Sequence, residues 1–200
     1  MVLVADKNME AVVRTLLEKR YPALQICPVQ VDIFVHPRRD PGVLREAEKF
    51  LSPFSEEYRY ALVIFDYEGC GQEQDPPEKL ETDLKSRLEQ SGWQERCEVI
   101  ILVPELEVWV WSNSPHVPQV LGLTQQQVNQ VLIGFPRNKL GKPERPKEAM
   151  EKCLHLSKLP RSSSIYAELA GSVSFQHCAD PSFNKLRVAL RKWFPPSRST

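Results

Sequence analysis

The most chemically suggestive feature of the sequence is a pair of acidic residues at the end of an apolar run. Residues 60–65 have the composition of a buried strand, and Asp66 and Glu68 follow them directly, ahead of two glycines. Two carboxylates so close together repel each other, and a divalent cation is the usual compensation. Oxygen ligands at this spacing suit Mg²⁺ or Mn²⁺ and predict phosphoryl chemistry. The alternative is a solvated strand end that merely turns at the glycines.

Further carboxylates follow two other predicted strands. Asp6 comes after the first strand, where it could bind the same cation or cap the next helix. Glu105 and Glu107 come just past the fourth strand, where they could add to the metal site or only favour the positive end of a helix dipole. Because ligands bind at the carboxyl ends of parallel strands, these positions predict one composite site.

The elements that must position these acids alternate between strand and helix. Strand patterns cover residues 2–5, 29–35, 60–65 and 97–103, and helical patterns lie between them. This alternation predicts an α/β fold, with a four-stranded parallel sheet that carries helices on both faces. Asp40 is predicted to cap the second helix. The segment after Pro104 fits a helix or a strand, and we favour a helix because a strand has just ended.

The second part of the chain has a different character. We interpret residues 1–115 as the α/β domain and residues 116–200 as a basic helical extension packed on it. Residues 1–135 contain 13 Lys+Arg and 21 Asp+Glu, a net charge of −8, whereas residues 136–200 contain 13 and 5, a net charge of +8. This asymmetry indicates either a polyanionic partner or attraction between the two parts.

Four helices are predicted in this second part. The first begins at Thr124 with a capping box and runs through Leu132, the second begins at Pro146, and the third begins near residue 165. Asp180 is predicted to cap the last helix.

Several basic residues of the second part lie in predicted loops and at helix starts. There, positive charge and free backbone N–H groups can meet a phosphate. They are Lys139, Lys142, Arg145, Lys147 and Arg161. The alternative is an ordinary solvated surface.

Composition excludes several classes of protein. The hydrophobic content of 42% is ordinary for a globular domain. No stretch approaches the roughly 18 apolar residues of a membrane span, and the first residues do not have the pattern of a secretory signal. Five scattered cysteines without a CxxC pair argue against a zinc site or a disulfide framework. We therefore expect a reduced, cytoplasmic protein without a membrane partner, whose four tryptophans could contribute to a homodimer surface.

With the acids on this topology, the first half of the chain resembles the TOPRIM fold of topoisomerases, primases and defence nucleases. Most of the chain also looks like the small TOPRIM-like proteins of methylation-associated prokaryotic phage-defence systems. The segments that carry the resemblance are residues 4–10, 66–71 and 104–109, and residues 178–183 fit as well.

The resemblance implies metal-dependent phosphodiester cleavage of DNA or RNA. Asp66 and Glu68 would hold Mg²⁺ or Mn²⁺, Glu107 would complete the site, and Asp6 would act as general acid–base or second ligand. The basic residues would hold the nucleic-acid backbone without reading bases. A phosphatase or nucleotide-processing enzyme on the same scaffold is a further alternative.

One departure from the family pattern concerns Ala5, which stands where the TOPRIM fold carries a glutamate. Either Asp6 substitutes from the next position, or Ala5 marks an inactive member or an engineered change. An inactive chain would serve as a binding or regulatory subunit, docked on other defence-system proteins or on nucleic acid.

Overall fold

Four parallel strands form one open sheet in the order β2-β1-β3-β4. The computed structural model describes residues 1–112, 114–175 and 178–196. The strands are β1 (Val2–Val4), β2 (Ile33–Val35), β3 (Ala61–Asp66) and β4 (Cys97–Leu102). Strands β3 and β4 are almost continuously apolar and buried, as expected for a parallel sheet covered on both faces. The prediction of an α/β fold with a four-stranded parallel sheet is confirmed.

Ten α-helices are found among the described residues, together with a 3-10 helix at Ser52–Phe54 and an irregular turn at Glu89–Trp93. The helices are α1 (Lys7–Lys19), α2 (Tyr21–Leu24), α3 (Arg39–Leu51), α4 (Pro77–Leu88), α5 (Glu107–Val110), α6 (His116–Val120), α7 (Gln125–Leu132), α8 (Pro146–Ser157), α9 (Ser163–Ser172) and α10 (Pro181–Trp193).

The order in which strands are added reverses between β1 and β3, which lie side by side. From β1 the chain continues to β2 at one edge of the sheet, and from β3 it continues to β4 at the other edge. Right-handed crossovers therefore put α1 on one face and α3 and α4 on the opposite face. In agreement, α3 packs on α4, whereas α1 packs on α9. Open α/β sheets bind ligands at the carboxyl ends of strands where this order reverses, and Asp6 and Asp66 lie there.

The predicted bounds of β2 and of the helix at Asp40 are wrong, for identifiable reasons. Strand β2 is limited to three residues instead of 29–35, because β1, its one neighbour among the described strands, offers three residues for pairing. Asp40 does not precede its helix, which begins at Arg39. Its Oδ1 accepts instead the backbone N–H of Asp66 at 2.8 Å, a donor that the end of β3 leaves available.

The four helices predicted for the second part correspond to α7, α8, α9 and α10 with small shifts, whereas α6 was not predicted. Thr124 forms the expected capping box, and Asp180 accepts backbone N–H groups at the start of α10. The helix favoured after Pro104 is present, but it is a single turn that begins three residues later, at Glu107. The described residues contain no helix that is both long and apolar enough to cross a membrane.

One contiguous hydrophobic core runs through the described residues from Met1 to Trp193. All four tryptophans are buried in it, so none of them provides the exposed surface that we suggested for a homodimer. The five cysteines are free thiols. Their scattered positions in the sequence did not indicate a disulfide framework.

Candidate functional site

Asp66 is the centre of the candidate site. It ends β3, and its Oδ1 is buried without a hydrogen-bond partner among the described residues. Burial raises its pKa well above the usual value, and the charges of Asp40, Glu107, Asp6 and Glu105 raise it further. A buried acceptor without a donor costs free energy, so a proton or a cation bound to this oxygen would stabilise the folded protein.

Asp40 is the acidic residue that sequence reasoning did not assign to the site. Its carboxylate binds the backbone N–H of Asp66, as described above. Burial raises the pKa of Asp40, and the charge of Asp6 adds to that effect. The only sequence signal is its position in the segment after β2, because parallel strands end at the same edge of the sheet.

Asp6 and Glu68 lie at this edge but are differently engaged. The Oδ1 atom of Asp6 accepts the backbone N–H of Met9 at 2.8 Å, so the alternative role as a helix cap is the one observed. Its charge nonetheless acts on Asp66. The side chain of Glu68 is exposed to solvent, and its backbone N–H donates to the carbonyl of Pro104 at 2.9 Å.

Glu107 is buried and already has two donors. The hydroxyl of Tyr166 and the guanidinium of Arg161, at 3.1 Å, both donate to its Oε1. The Nε of Arg161 also donates to the Tyr166 oxygen at 2.8 Å, and its Nη1 reaches Glu151 at 3.3 Å. Sequence reasoning missed Tyr166, whose pKa is raised by burial and by Glu107. Nothing in the spacing along the chain indicates that it meets an acid 59 positions away.

Glu105 has a comparable partner in Lys147. The Lys147 ammonium lies 3.1 Å from Oε2 of Glu105, and the Lys147 backbone N–H lies 3.2 Å from Oε1. Lys147 is in the first turn of α8, where the positive end of the helix also favours a carboxylate. Burial and then Glu107 raise the pKa of Glu105, whereas Lys147 opposes that shift.

The remaining predicted phosphate-binding residues form no ion pair with these acids among the described residues. Lys142 donates to the carbonyl oxygen of Val108, and Arg145 pairs with Glu148 at 2.9 Å. Lys139 is exposed. The structure therefore brings two of the five basic residues, Arg161 and Lys147, to the acids at the end of the sheet.

The donor set suits a hydrated cation better than a fully enclosed one. The described part of the chain has no group of three or more His, Cys, Asp or Glu side chains arranged to hold a metal ion. Mg²⁺, however, usually keeps several waters and takes only one or two carboxylates. The unpartnered Oδ1 of Asp66 is an acceptor in a strongly negative environment, which favours a cation, although almost none of its surface reaches solvent. Ala5 contributes no carboxylate, although it lines a neighbouring cavity of about 330 Å³ with Asp6 and His36.

Comparison of the chain with protein-family models, with curated proteins and with solved structures gives no match. Its function must therefore be inferred from the residues themselves.

Proposed function

We propose that this protein is a TOPRIM-like, divalent-cation-dependent nuclease that hydrolyses phosphodiesters of DNA or RNA in a prokaryotic antiphage defence system. The buried, unpartnered oxygen of Asp66 carries the proposal, because it lies where an open parallel sheet binds its ligand. On this view, residues 1–115 form the TOPRIM-like domain and residues 116–200 form its helical extension.

Asp66 would hold Mg²⁺ or Mn²⁺ directly, with Glu68 as a second ligand at the exposed side. When bound, such a cation polarises a phosphate, lowers the pKa of a water and neutralises the leaving oxygen. Asp6 would accept or donate the proton near the scissile bond, for which its distal oxygen is suited while Oδ1 caps α1. Arg161 and Lys147 would hold the phosphate by charge-assisted hydrogen bonds.

The basic side chains of the segment before α8 would extend the contact along the nucleic acid. Lys139, Lys142 and Arg145 belong to this segment, and they would meet phosphates rather than base edges. Binding of this kind weakens as the salt concentration rises, because counterions compete for the same phosphates.

A specific observation favours a second candidate function. Glu107 and Glu105 already have cationic partners, and Ala5 supplies no acid at the end of β1. A chain with this arrangement would bind nucleic acid or another defence protein without cleaving, as a regulatory subunit.

The test measures Mn²⁺ binding by calorimetry and the cleavage of labelled single- and double-stranded DNA and RNA, with mononucleotides as a further substrate class. Asp66→Ala is expected to abolish both Mn²⁺ binding and cleavage, because it removes the carboxylate oxygen that has no hydrogen-bond partner. Asp83→Ala is the matched control, since it removes an exposed acid on α4 and is expected to change neither.

Cleavage that persists in Asp66→Ala and in the presence of a chelator would refute the nuclease proposal. Binding of Mn²⁺ that is gained only with Ala5→Glu would instead support the second candidate, a chain whose catalytic site is incomplete.

A further inference from the structure

The two ion pairs at the site share an asymmetry of exposure. The Glu107 side chain is 1% exposed and its partner Arg161 is 32% exposed. The Glu105 side chain is 5% exposed and its partner Lys147 is 40% exposed. Each acid is thus covered by a cation that itself reaches solvent. A phosphate that approaches from solvent meets the two cations before it meets the acids.

The two pairs also act on each other. The charge of Glu107 contributes to the raised pKa of Glu105, and the charges of Glu107 and Arg161 both act on Lys147. Glu107 and Glu105 in turn act on Asp66. A change in the partner of either acid therefore alters the negative charge that Asp66 experiences.

On the basis of the proposed function, we propose that an oxyanion of the nucleic-acid backbone and the divalent cation bind cooperatively, through exchange of ion-pair partners. Arg161 and Lys147 leave Glu107 and Glu105 for the phosphate oxygens. The two carboxylates then lose their compensating charges, and the negative field around Asp66 attracts the cation more strongly. In the ligand-free protein the two cations stay paired with these acids.

Tyr166 is a positioning residue in this exchange. Its buried hydroxyl donates directly to Glu107, so the carboxylate keeps this donor when the guanidinium leaves both Glu107 and the Tyr166 oxygen. Without that donor, the exchange would leave a buried charge unpartnered, which is strongly unfavourable.

The test is a titration of the protein with Mn²⁺, with and without inorganic phosphate, in which the electron paramagnetic resonance signal reports free Mn²⁺. Coupling between two ligands typically changes affinity by about 5- to 150-fold, and we expect phosphate to tighten Mn²⁺ binding by about 5- to 20-fold. Linkage requires Mn²⁺ to tighten phosphate binding by the same factor. Phosphate in solution also binds Mn²⁺ and lowers the free signal, so a titration of Mn²⁺ with phosphate but without protein is subtracted.

Variants separate the exchange from direct contact between phosphate and metal. Arg161→Gln is expected to bind Mn²⁺ more tightly than the natural chain without phosphate and to lose most of the enhancement with it. Arg87→Gln is the matched control, because Arg87 forms a half-exposed pair with Glu48 at 3.0 Å away from the site. We expect it to keep the full enhancement. Circular dichroism checks that both variants are folded.

The outcomes distinguish the exchange from the nuclease proposal. Mn²⁺ binding that depends on Asp66 but is insensitive to phosphate in the natural chain would refute the exchange and leave the nuclease proposal standing. Full enhancement in a folded Arg161→Gln variant would also refute the exchange. Absence of Mn²⁺ binding in the natural chain, with and without phosphate, would refute both.

Discussion

At the residue scale, Asp66 predicts an unusual dependence of stability on pH. Its pKa in the folded protein is raised by burial and by neighbouring acids, above the value of about 3.9 in an unfolded chain. Between these two pKa values the folded state binds more protons than the unfolded state, so this group makes stability fall as pH rises. Asp66→Asn removes the penalty. We expect a higher Tm than the natural chain at pH 7 and an equal Tm near pH 3, measured by thermal unfolding.

Divalent cation provides the control for that prediction. A ligand that binds only the folded state raises its stability. Mn²⁺ should therefore raise the Tm of the natural chain at pH 7 but not the Tm of Asp66→Asn. If Asp66→Asn is less stable than the natural chain at pH 7 without metal, burial and repulsion by neighbouring acids do not destabilise the Asp66 carboxylate, and the prediction is wrong.

Tyr166 and Glu107 allow a second prediction at this scale. Tyr166→Phe removes one hydroxyl that donates to a buried carboxylate. Hydrogen bonds to charged groups contribute about 1.5–3 kcal/mol, and we expect a loss of that size in the free energy of unfolding, measured by urea denaturation. Tyr58→Phe is the control, because it removes an exposed hydroxyl that donates to Asp32 at 2.9 Å, and no measurable change is expected.

An equal loss in the two tyrosine variants would mean that the Tyr166–Glu107 contact has no special weight. No loss in Tyr166→Phe would show that Arg161 alone satisfies the buried carboxylate.

At the scale of elements, two helix caps should differ in strength. Asp180 is buried and accepts the backbone N–H groups of Ser182 and Phe183 at 3.0 and 3.3 Å, as well as the Ser182 hydroxyl. Thr124 accepts one backbone N–H at 3.2 Å and is exposed. Loss of a cap costs about 0.5–2 kcal/mol. Asp180→Ala is expected near the upper end and Thr124→Ala near the lower end, in urea denaturation of the whole chain.

Equal effects from these two variants would contradict the reasoning, because they would show that burial of the cap does not add to its value. Retention of the m-value in both variants is the control that the unfolding transition itself is unchanged.

The start of α3 shows why element boundaries are harder to predict than elements. Aspartate before proline is a common helix start, and the sequence alone supports Asp40 as a cap. In the folded chain its carboxylate meets the backbone N–H of Asp66, 26 positions away. The local preference of Asp40 for a helix cap was outweighed by the backbone N–H of Asp66, which comes close to Asp40 only in the folded sheet.

At the scale of the whole molecule, the two parts of the chain share contacts throughout. Helix α9 packs on α1, and Trp193 of α10 stacks on Tyr60 with ring centroids 4.8 Å apart. Lys185 of α10 binds Glu81 of α4 at 2.7 Å. We therefore expect a fragment of residues 1–115 to lack a cooperative unfolding transition, because it would expose the apolar faces that α9 and α10 cover.

The full chain should instead unfold in one step, with coincident transitions by circular dichroism and tryptophan fluorescence. A fragment of residues 1–115 with a sharp transition of its own would show that the first part is an independent domain. The division into a domain and an extension stays a prediction until that measurement.

The fold class and the strand that carries Asp66 follow from the amino-acid pattern alone. Short apolar runs that alternate with segments of helical periodicity are typical of strands buried on both faces of a parallel sheet. This pattern is a local property of the chain. The composition of residues 60–65 and the acid that follows them were thus enough to place Asp66 at the carboxyl end of a strand.

The side chains that meet Asp66 and its neighbours are instead known only from the folded chain. Asp40 joins the site, Asp6 caps a helix, and Tyr166 binds Glu107 across 59 positions. Charges and hydrogen bonds act over a few ångströms in space, whereas sequence patterns describe neighbours along the chain. The partners of buried acids therefore follow from packing, and packing depends on the whole chain at once.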